Sequence, residues 1–453
     1  MEHHVQSIDD ALIGGLSYKL KAGASYVTDR RSVTFFASGG NQYSPSGVKV
    51  CKFNIVADQW LEPSTFRVMF TVSNTGDLAT EVIQPLHWNP AVMFRRARII
   101  AGGQIIEDID DFNRLSLMFT ALKSQDDQKE IAMEGFGLFD RKYDRPAGGL
   151  LADPDAEDSD ERKIYRVSDW DEAGTIGVSR TVLFKPMLGI LAQEKLIPLR
   201  YCPLQIELEL VNSGSDCMFV GVQNGLTSTN NWEITDIQCK CDLLTLDSSL
   251  QNEYASHLLS GKSLPINFSS YNHTNQSTNG DKDFSCHIHR ALTRLKSVFV
   301  TLFKDDATSA NMPAGLRKVC NDFYHPAGAG AEDLEKGQHQ FQLQIGSKLI
   351  PEYPIKDSTE FFYHLRKTVG TPINIYSRWY HSTKYIIGLD MEKISGAGFS
   401  GMNTKAGDLI TVNFKDCRES AVNSATTIPS RMYAVLHYDA VLNIRDSGVE
   451  LLD

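Results

Sequence analysis

Several short stretches of this 453-residue chain hold side chains able to ligate a metal, cradle a phosphate or move a proton. "HIH" sets His287 and His289 on one face of a strand, a spacing suited to copper or zinc. A third ligand, His325 or His437, would have to converge on them. Nothing in the sequence brings it there, and histidines satisfied inside the fold are the favoured reading. "CKC" puts Cys239 and Cys241 on one strand face, in step with Ile237 and Leu243, which points to burial. Zinc would need a second pair at ligand spacing, and none exists. "DPDAEDSDE" (Asp153–Glu161) could offer oxygens to calcium, but it lacks the EF-hand glycine and the closing bidentate glutamate in register, so a solvated acidic loop is expected. No pair of carboxylates stands out as a glycosidase dyad. Three sequons, at Asn267, Asn272 and Asn275, cluster in one polar stretch; with no export signal they are expected to stay unmodified.

Two glycine stretches raise the question of a nucleotide. A phosphate-binding glycine loop must open directly into a helix, whose free N–H groups hold the anion. In "RIIAGGQIIEDI" (Arg98–Ile109), Gly102-Gly103 leads instead into an apolar run that reads as strand, and the next helix begins near Phe112. The pair therefore predicts a tight hairpin turn, where glycine supplies the positive φ that strand twist demands. "SGKS" (Ser260–Ser263) fails as a P-loop, because Ser256 stands where the first glycine is required. The sequence thus predicts no catalytic, cofactor-binding or metal-binding residues and no cofactor. The eight cysteines are expected to be reduced and buried.

The elements around these stretches are mostly strands. Lys49–Val56, Ser64–Asn74, Pro203–Val211, Leu295–Phe303, His339–Ile345, Asp408–Phe414 and Arg431–Ile444 alternate or are β-branched. Helices are few. They are predicted at Phe112–Met133 with Asp111 as N-cap, at Leu250–Leu259, and at Thr359–Thr368 with Ser358 as N-cap and Gly370 beyond its end. Many short strands and few helices imply sandwiches or jelly rolls. Composition agrees: 42% of residues are hydrophobic and 22% charged, as in globular proteins. The longest apolar runs, such as Ser297–Phe303, are far shorter than the ~18–20 residues of a membrane span. A net charge of −11 argues against coating nucleic acid as the main task.

An internal repeat organises the chain. Shifted by 244 positions, "GGQIIEDI" from Gly102 lies over "GSKLIPEY" from Gly346, and Leu117-Met118-Phe119 fall on Phe361-Phe362-Tyr363. Strand, glycine turn, strand and helix recur in that order, which predicts one supersecondary plan used twice. Each half closes on a long alternating strand, Trp232–Leu246 and Arg431–Ile444. Two β-sandwiches in tandem follow, joined by a helix and the polar segment Ser269–Asp283.

On "DQWLEPSTFRVMFTV" (Asp58–Val72), "RARIIAGGQIIEDIDDFNRL" (Arg96–Leu115), "LIPLRYCPLQIELEL" (Leu196–Leu210), "HIHRALTRLKSVFVTLF" (His287–Phe303) and "FSGMNTKAGDLITVNF" (Phe399–Phe414), the chain resembles a double jelly-roll major capsid protein of virophages, Polinton-like viruses and related icosahedral DNA viruses. The resemblance implies an all-β fold of two tandem eight-stranded jelly rolls with a few short helices. It divides the chain into an N-terminal arm (1–28), a first roll (29–247), a linker (248–283), a second roll (284–446) and a tail (447–453). It implies a virion protein, made and assembled inside the host cell, whose homotrimers form pseudo-hexameric capsomers that tile a shell. Its partners would be itself, neighbouring capsomers, penton and minor capsid proteins, and a membrane or genome beneath the shell, with no small-molecule substrate. Residues 135–175 are then the candidate outer tower, and the half-apolar arm Val5–Gly23 a segment that a neighbour must cover. The rival readings are a two-sandwich enzyme, either a copper monooxygenase or a glycan hydrolase, or a carbohydrate-binding protein. Both are disfavoured, because such proteins carry an export signal and usually a disulfide framework.

Overall fold

Period-two alternation makes most of the backbone. Along Trp60–Asn74, Phe66, Val68, Phe70 and Val72 are buried, while Arg67, Met69, Thr71 and Ser73 between them are half-buried, as a strand with one face on a core requires. The computed structural model describes residues 27–77, 81–83, 85, 87–136, 179–218, 222–223, 226–303, 323, 325–326, 339–375, 377–381, 384–394, 399–405, 409–417 and 429–453.

The first eight long strands are β1 (Val27–Phe36), β2 (Val50–Ile55), β3 (Trp60–Asn74), β4 (Phe94–Ala101), β5 (Gln104–Ile109), β6 (Ser179–Phe184), β7 (Leu204–Leu210) and β8 (Trp232–Leu246). They form two sheets, ordered β1-β8-β3-β6 and β2-β7-β4-β5. The next eight are β9 (Leu264–Ser277), β10 (Phe284–Ile288), β11 (Leu295–Phe303), β12 (Gln340–Ile345), β13 (Lys348–Ile355), β14 (Ile386–Asp390), β15 (Ile410–Lys415) and β16 (Arg431–Arg445). Their sheets run β9-β16-β11-β14 and β10-β15-β12-β13. Adding eight to every strand of the first pair of sheets gives the second pair. Each pair is a jelly roll, and all of its neighbours are antiparallel. The sheets of the first roll meet through rings such as Phe70 and Phe94, edge to face with centroids 5.4 Å apart.

Both glycine stretches are hairpin turns. Ala101 pairs with Gln104 across Gly102-Gly103, whose φ values are +56° and +84°. Ile345 pairs with Lys348 across Gly346-Ser347, where Gly346 has φ +59°. The helices are α1 (Phe112–Ala121), α2 (Gln125–Glu134), α3 (Ser248–Leu259) and α4 (Ser358–Val369). α1 follows β5 and α4 follows β13, so the plan recurs in chain order. Their packing differs. α4 lies on β14, with Leu365 over Gly388, where a Cβ would come within 2.9 Å of the Leu365 side chain. α1 lies on the turn Pro90–Met93 and then against the second roll.

The structure corrects several expectations. The helix predicted over 112–133 is two helices, because Ser124 caps α2 by accepting from the Asp127 N–H at 3.2 Å. Asp111 precedes α1 but makes no capping bond; its φ of +49° turns the side chain elsewhere. Asp357, not Ser358, is the residue before α4, while Gly370 ends that helix in the left-handed region as expected. The polar segment Ser269–Asp283 is strand as far as Ser277, paired along its length with β16. The tail is also strand: Gly448–Leu452 (β17) returns as a hairpin on β16. The arm before Val27, the acidic stretch 153–161, residues 137–175 of the expected tower and Cys320 lie outside the described residues. Among the described residues no helix is long and apolar enough to cross a membrane.

Candidate functional site: the seam between the rolls

The most densely built polar feature is where the first roll meets the outer face of the β9-β16-β11 part of the second. Alternation explains why that face exists. On β11, Val298, Val300 and Leu302 point to the second roll's own core, so Ser297, Phe299 and Thr301 point outward, yet all three are buried. α1 covers them. Phe119 sets its ring 4.9 Å from Tyr271 and 5.0 Å from Phe299, edge to face with the latter. The Arg114 guanidinium lies 4.5 Å from the centre of the Phe303 ring.

Glu107 is the pin. It sits on β5 and is 2% exposed. One carboxylate oxygen accepts from the Gly189 N–H at 2.9 Å and from the Ser270 hydroxyl at 2.6 Å; the other accepts from the Ile190 N–H at 2.9 Å. Burial pushes its pKa up, against the lowering effect of these hydrogen bonds. Gly189 is glycine for room: a Cβ there would come within 1.8 Å of the Ser269 carbonyl oxygen on the other roll. Nearby, Lys195 donates to the Pro265 carbonyl at 2.8 Å.

Histidines line the same seam. His273 lies 3.6 Å from the Asp111 carboxylate, which is where that aspartate points instead of capping α1. Burial holds His273 below the ordinary histidine range, against the pull of Asp111 and Asp110. His437 stacks on Tyr271 at 4.8 Å and shares a 3.1 Å hydrogen bond with the Ser297 hydroxyl. Burial, helped by Lys296, lowers its pKa to about 4.

A ladder of charge crosses the outer face of β2-β7-β4-β5. Lys52 pairs with Glu207 at 2.9 Å, Glu207 with Arg98 at 3.3 Å, and Asp108 with Arg98 at 3.3 Å and Arg96 at 2.6 Å. Burial would raise the Asp108 pKa, but the two guanidinium groups outweigh it and hold the carboxyl low. Such a ladder fixes strand register more than it adds stability.

The residues singled out by sequence do not come together. His287 is exposed on β10 and shares a 3.0 Å hydrogen bond with the Thr411 hydroxyl; His289 is exposed just beyond that strand. His325 is buried beside His339 and Tyr385, with ring centroids at 5.2 and 4.5 Å. Among the described residues no group of three or more His, Cys, Asp or Glu is placed to hold a metal. Cys239 and Cys241 face inward on β8 and are buried. Gly261 ends α3 with φ +80° and opens no helix. A concavity lined by Asp58, Trp60, Arg200 and Tyr254 encloses about 10 Å³, room for one water and not for a sugar. Glu107, the carboxylate that ties the two rolls, has both oxygens taken by donors of the fold and is not poised as an acid or base. What the seam can do is hold two rolls in one orientation.

Two tandem jelly rolls of matching strand order define the double jelly-roll class. Among solved structures, the chain is similar over 96% of its length to the whole of the PBCV-1 VP54 chain fitted into a reconstruction of the virophage Sputnik, with a TM-score of 0.62 and 12% identity. It is also similar to a chain of the Sputnik virophage structure at 3.5 Å (TM-score 0.57, 9% identity, 96% of this chain and 90% of that one). The Faustovirus major capsid protein matches with a TM-score of 0.55 and 8% identity, over 95% of this chain and 93% of that one. At these identities the likeness establishes the fold. No family model matches the sequence, and no curated protein matches it.

Proposed function

We propose that this chain is the major capsid protein of an icosahedral DNA virus, a structural protein of the virion and not an enzyme. The observation that carries the reading is the strand-for-strand repeat: two rolls of the same order, joined through the Glu107 hydrogen bonds. Three such chains present six similar lobes, so one kind of subunit can fill a six-neighbour lattice through closed rings. The division into arm, two rolls, linker and tail belongs to this reading, with the linker shortened to α3 and residues 260–263 and the tail counted with the second roll. Penton and minor capsid proteins are its further partners, and assembly takes place inside the host cell. The Glu107 carboxylate, with both oxygens held by donors of the fold, favours a mechanical role over a catalytic one.

Size-exclusion chromatography with light scattering, followed by negative-stain microscopy, tests the proposal. A mass three times that of the chain and particles of hexagonal outline are expected. A stable monomer that forms neither would overturn it.

A further inference from the structure

The strand repeat breaks at one place. In the first roll, β3 is long enough to pair with the end of β8: Leu244 lies opposite Trp60 and Leu243 opposite Leu61. In the second roll, β11 begins only at Leu295, opposite Tyr438, and leaves the last residues of β16 open on that side. β9 takes the other edge of β16 along its length. β17 fills the gap. Val441 to Arg445 pair with Leu452 to Gly448 across the turn at Asp446 and Ser447. The tail thus stands on β16 where the start of β3 stands on β8.

β17 does more than complete a sheet. It also lies against β5 of the first roll. Val449 and Leu451 pack on the core. Val449 rests on the hairpin turn between β4 and β5: a Cβ added at Gly102 would come within 2.5 Å of its Cγ2. Gly102 is therefore glycine for two reasons, its φ of +56° and the closeness of the tail. The far end of β17 is fastened to the second roll. The Asp453 carboxylate pairs with Arg290 at 2.9 Å and with Lys405 at 3.3 Å. Near the turn, Arg445 pairs with Glu450 at 3.0 Å.

We infer that β17 is a strap, a conformational latch that holds the β4-β5 hairpin of the first roll against the second roll at its turn. The inference concerns contacts within one chain and goes beyond the capsid reading. The Glu107 pin grips the hairpin inside β5, and the strap grips the turn before it. One hold alone would leave the hairpin free to pivot; two fix both its place and its inclination. Lifting the strap would uncover Val449 and Leu451, take the support from the Gly102 turn and leave the end of β16 with an open edge.

Hydrogen exchange read by mass spectrometry, on the full chain and two variants, tests this. One variant ends at Arg445. The other is Val449→Ser, which keeps the strand and takes its branched side chain off the turn. In both, the amides of residues 101–106 should exchange faster than in the wild type, by roughly tenfold in the shortened chain. Phe66 to Val72 of β3 should stay protected, which shows that the first roll is still folded. Exchange at 101–106 at the wild-type rate in the folded, shortened chain overturns the strap. Should circular dichroism show that the shortened chain does not fold, Val449→Ser decides alone: faster exchange confined to the turn supports the strap, and an unchanged rate there overturns it.

Discussion

The carboxylate of Glu107 in the first roll accepts a hydrogen bond from the hydroxyl of Ser270 in the second, at 2.6 Å, in a site closed to water. Its other partners are two backbone N–H groups of the 189–190 turn, so one side chain ties a strand, a turn and the neighbouring roll. Glu107→Ala would strand two N–H groups and a hydroxyl. Each buried unsatisfied donor costs about 1–3 kcal/mol, so a loss of at least roughly 3 kcal/mol is expected in urea unfolding. Ser270→Ala should cost less, on the order of 1 kcal/mol. Equal losses would argue against the pin.

Gly189→Ala is expected to open the same seam by steric means. The added methyl meets a backbone carbonyl of the other roll, not the end of a flexible side chain, so the rolls must move apart. Overpacking of this kind costs about 1–3 kcal/mol, read as a lower melting temperature. A wild-type melting temperature in this variant would show that the 189–190 turn does not press on β9.

Acid should weaken the seam. The pKa of His437 is lowered by burial to about 4 in the folded chain, against about 6.5 unfolded. Between those values the unfolded chain holds a proton that the folded chain refuses, so stability falls as pH drops from about 6.5 to about 4 and levels off below. His273 is lowered by burial too and acts in the same direction. Melting temperatures across that window should fall for the wild type and fall less for His437→Gln. An identical slope in the two would remove His437 from the explanation.

Thiol reagents should find little to react with in the native chain. The seven described cysteines are buried, and burial raises the thiol of Cys51, Cys202, Cys239, Cys241, Cys286 and Cys417, which starves the nucleophilic thiolate. Labelling at neutral pH should stay at one site per chain or fewer and rise to eight on unfolding. Fast native labelling at Cys239 or Cys241 would contradict their placement in the core.

How legible this was in the sequence depends on what each segment packs against. β11 was readable to the residue, Leu295–Phe303, because its inward face is aliphatic and most of the run is β-branched or aromatic. The hairpins were readable because only glycine accepts the φ values at 102 and 103 without strain. β9 was not. Its outward residues are Tyr271, His273 and Asn275, and polar alternation beside three sequons resembles a connector until the facing roll is known. Glu107 was equally silent. In "QIIEDI" it is one acidic residue in a strand, and only the tertiary neighbours Gly189, Ile190 and Ser270 reveal it as the centre of a junction. The capping role expected of Asp111 lost to His273 across the same junction, a contact between residues 162 positions apart that local pattern does not encode.

The passage from β8 to β9, through α3 and the open turn at Gly261, has a thermodynamic meaning of its own. It tethers the two halves at an effective concentration in the mM range, as short linkers do, and so conceals how strongly they adhere. A protease site placed at that turn would release the tether without touching the junction. The halves would then be two molecules in equilibrium, and the grip that the intact chain hides would become a dissociation constant, measurable by dilution.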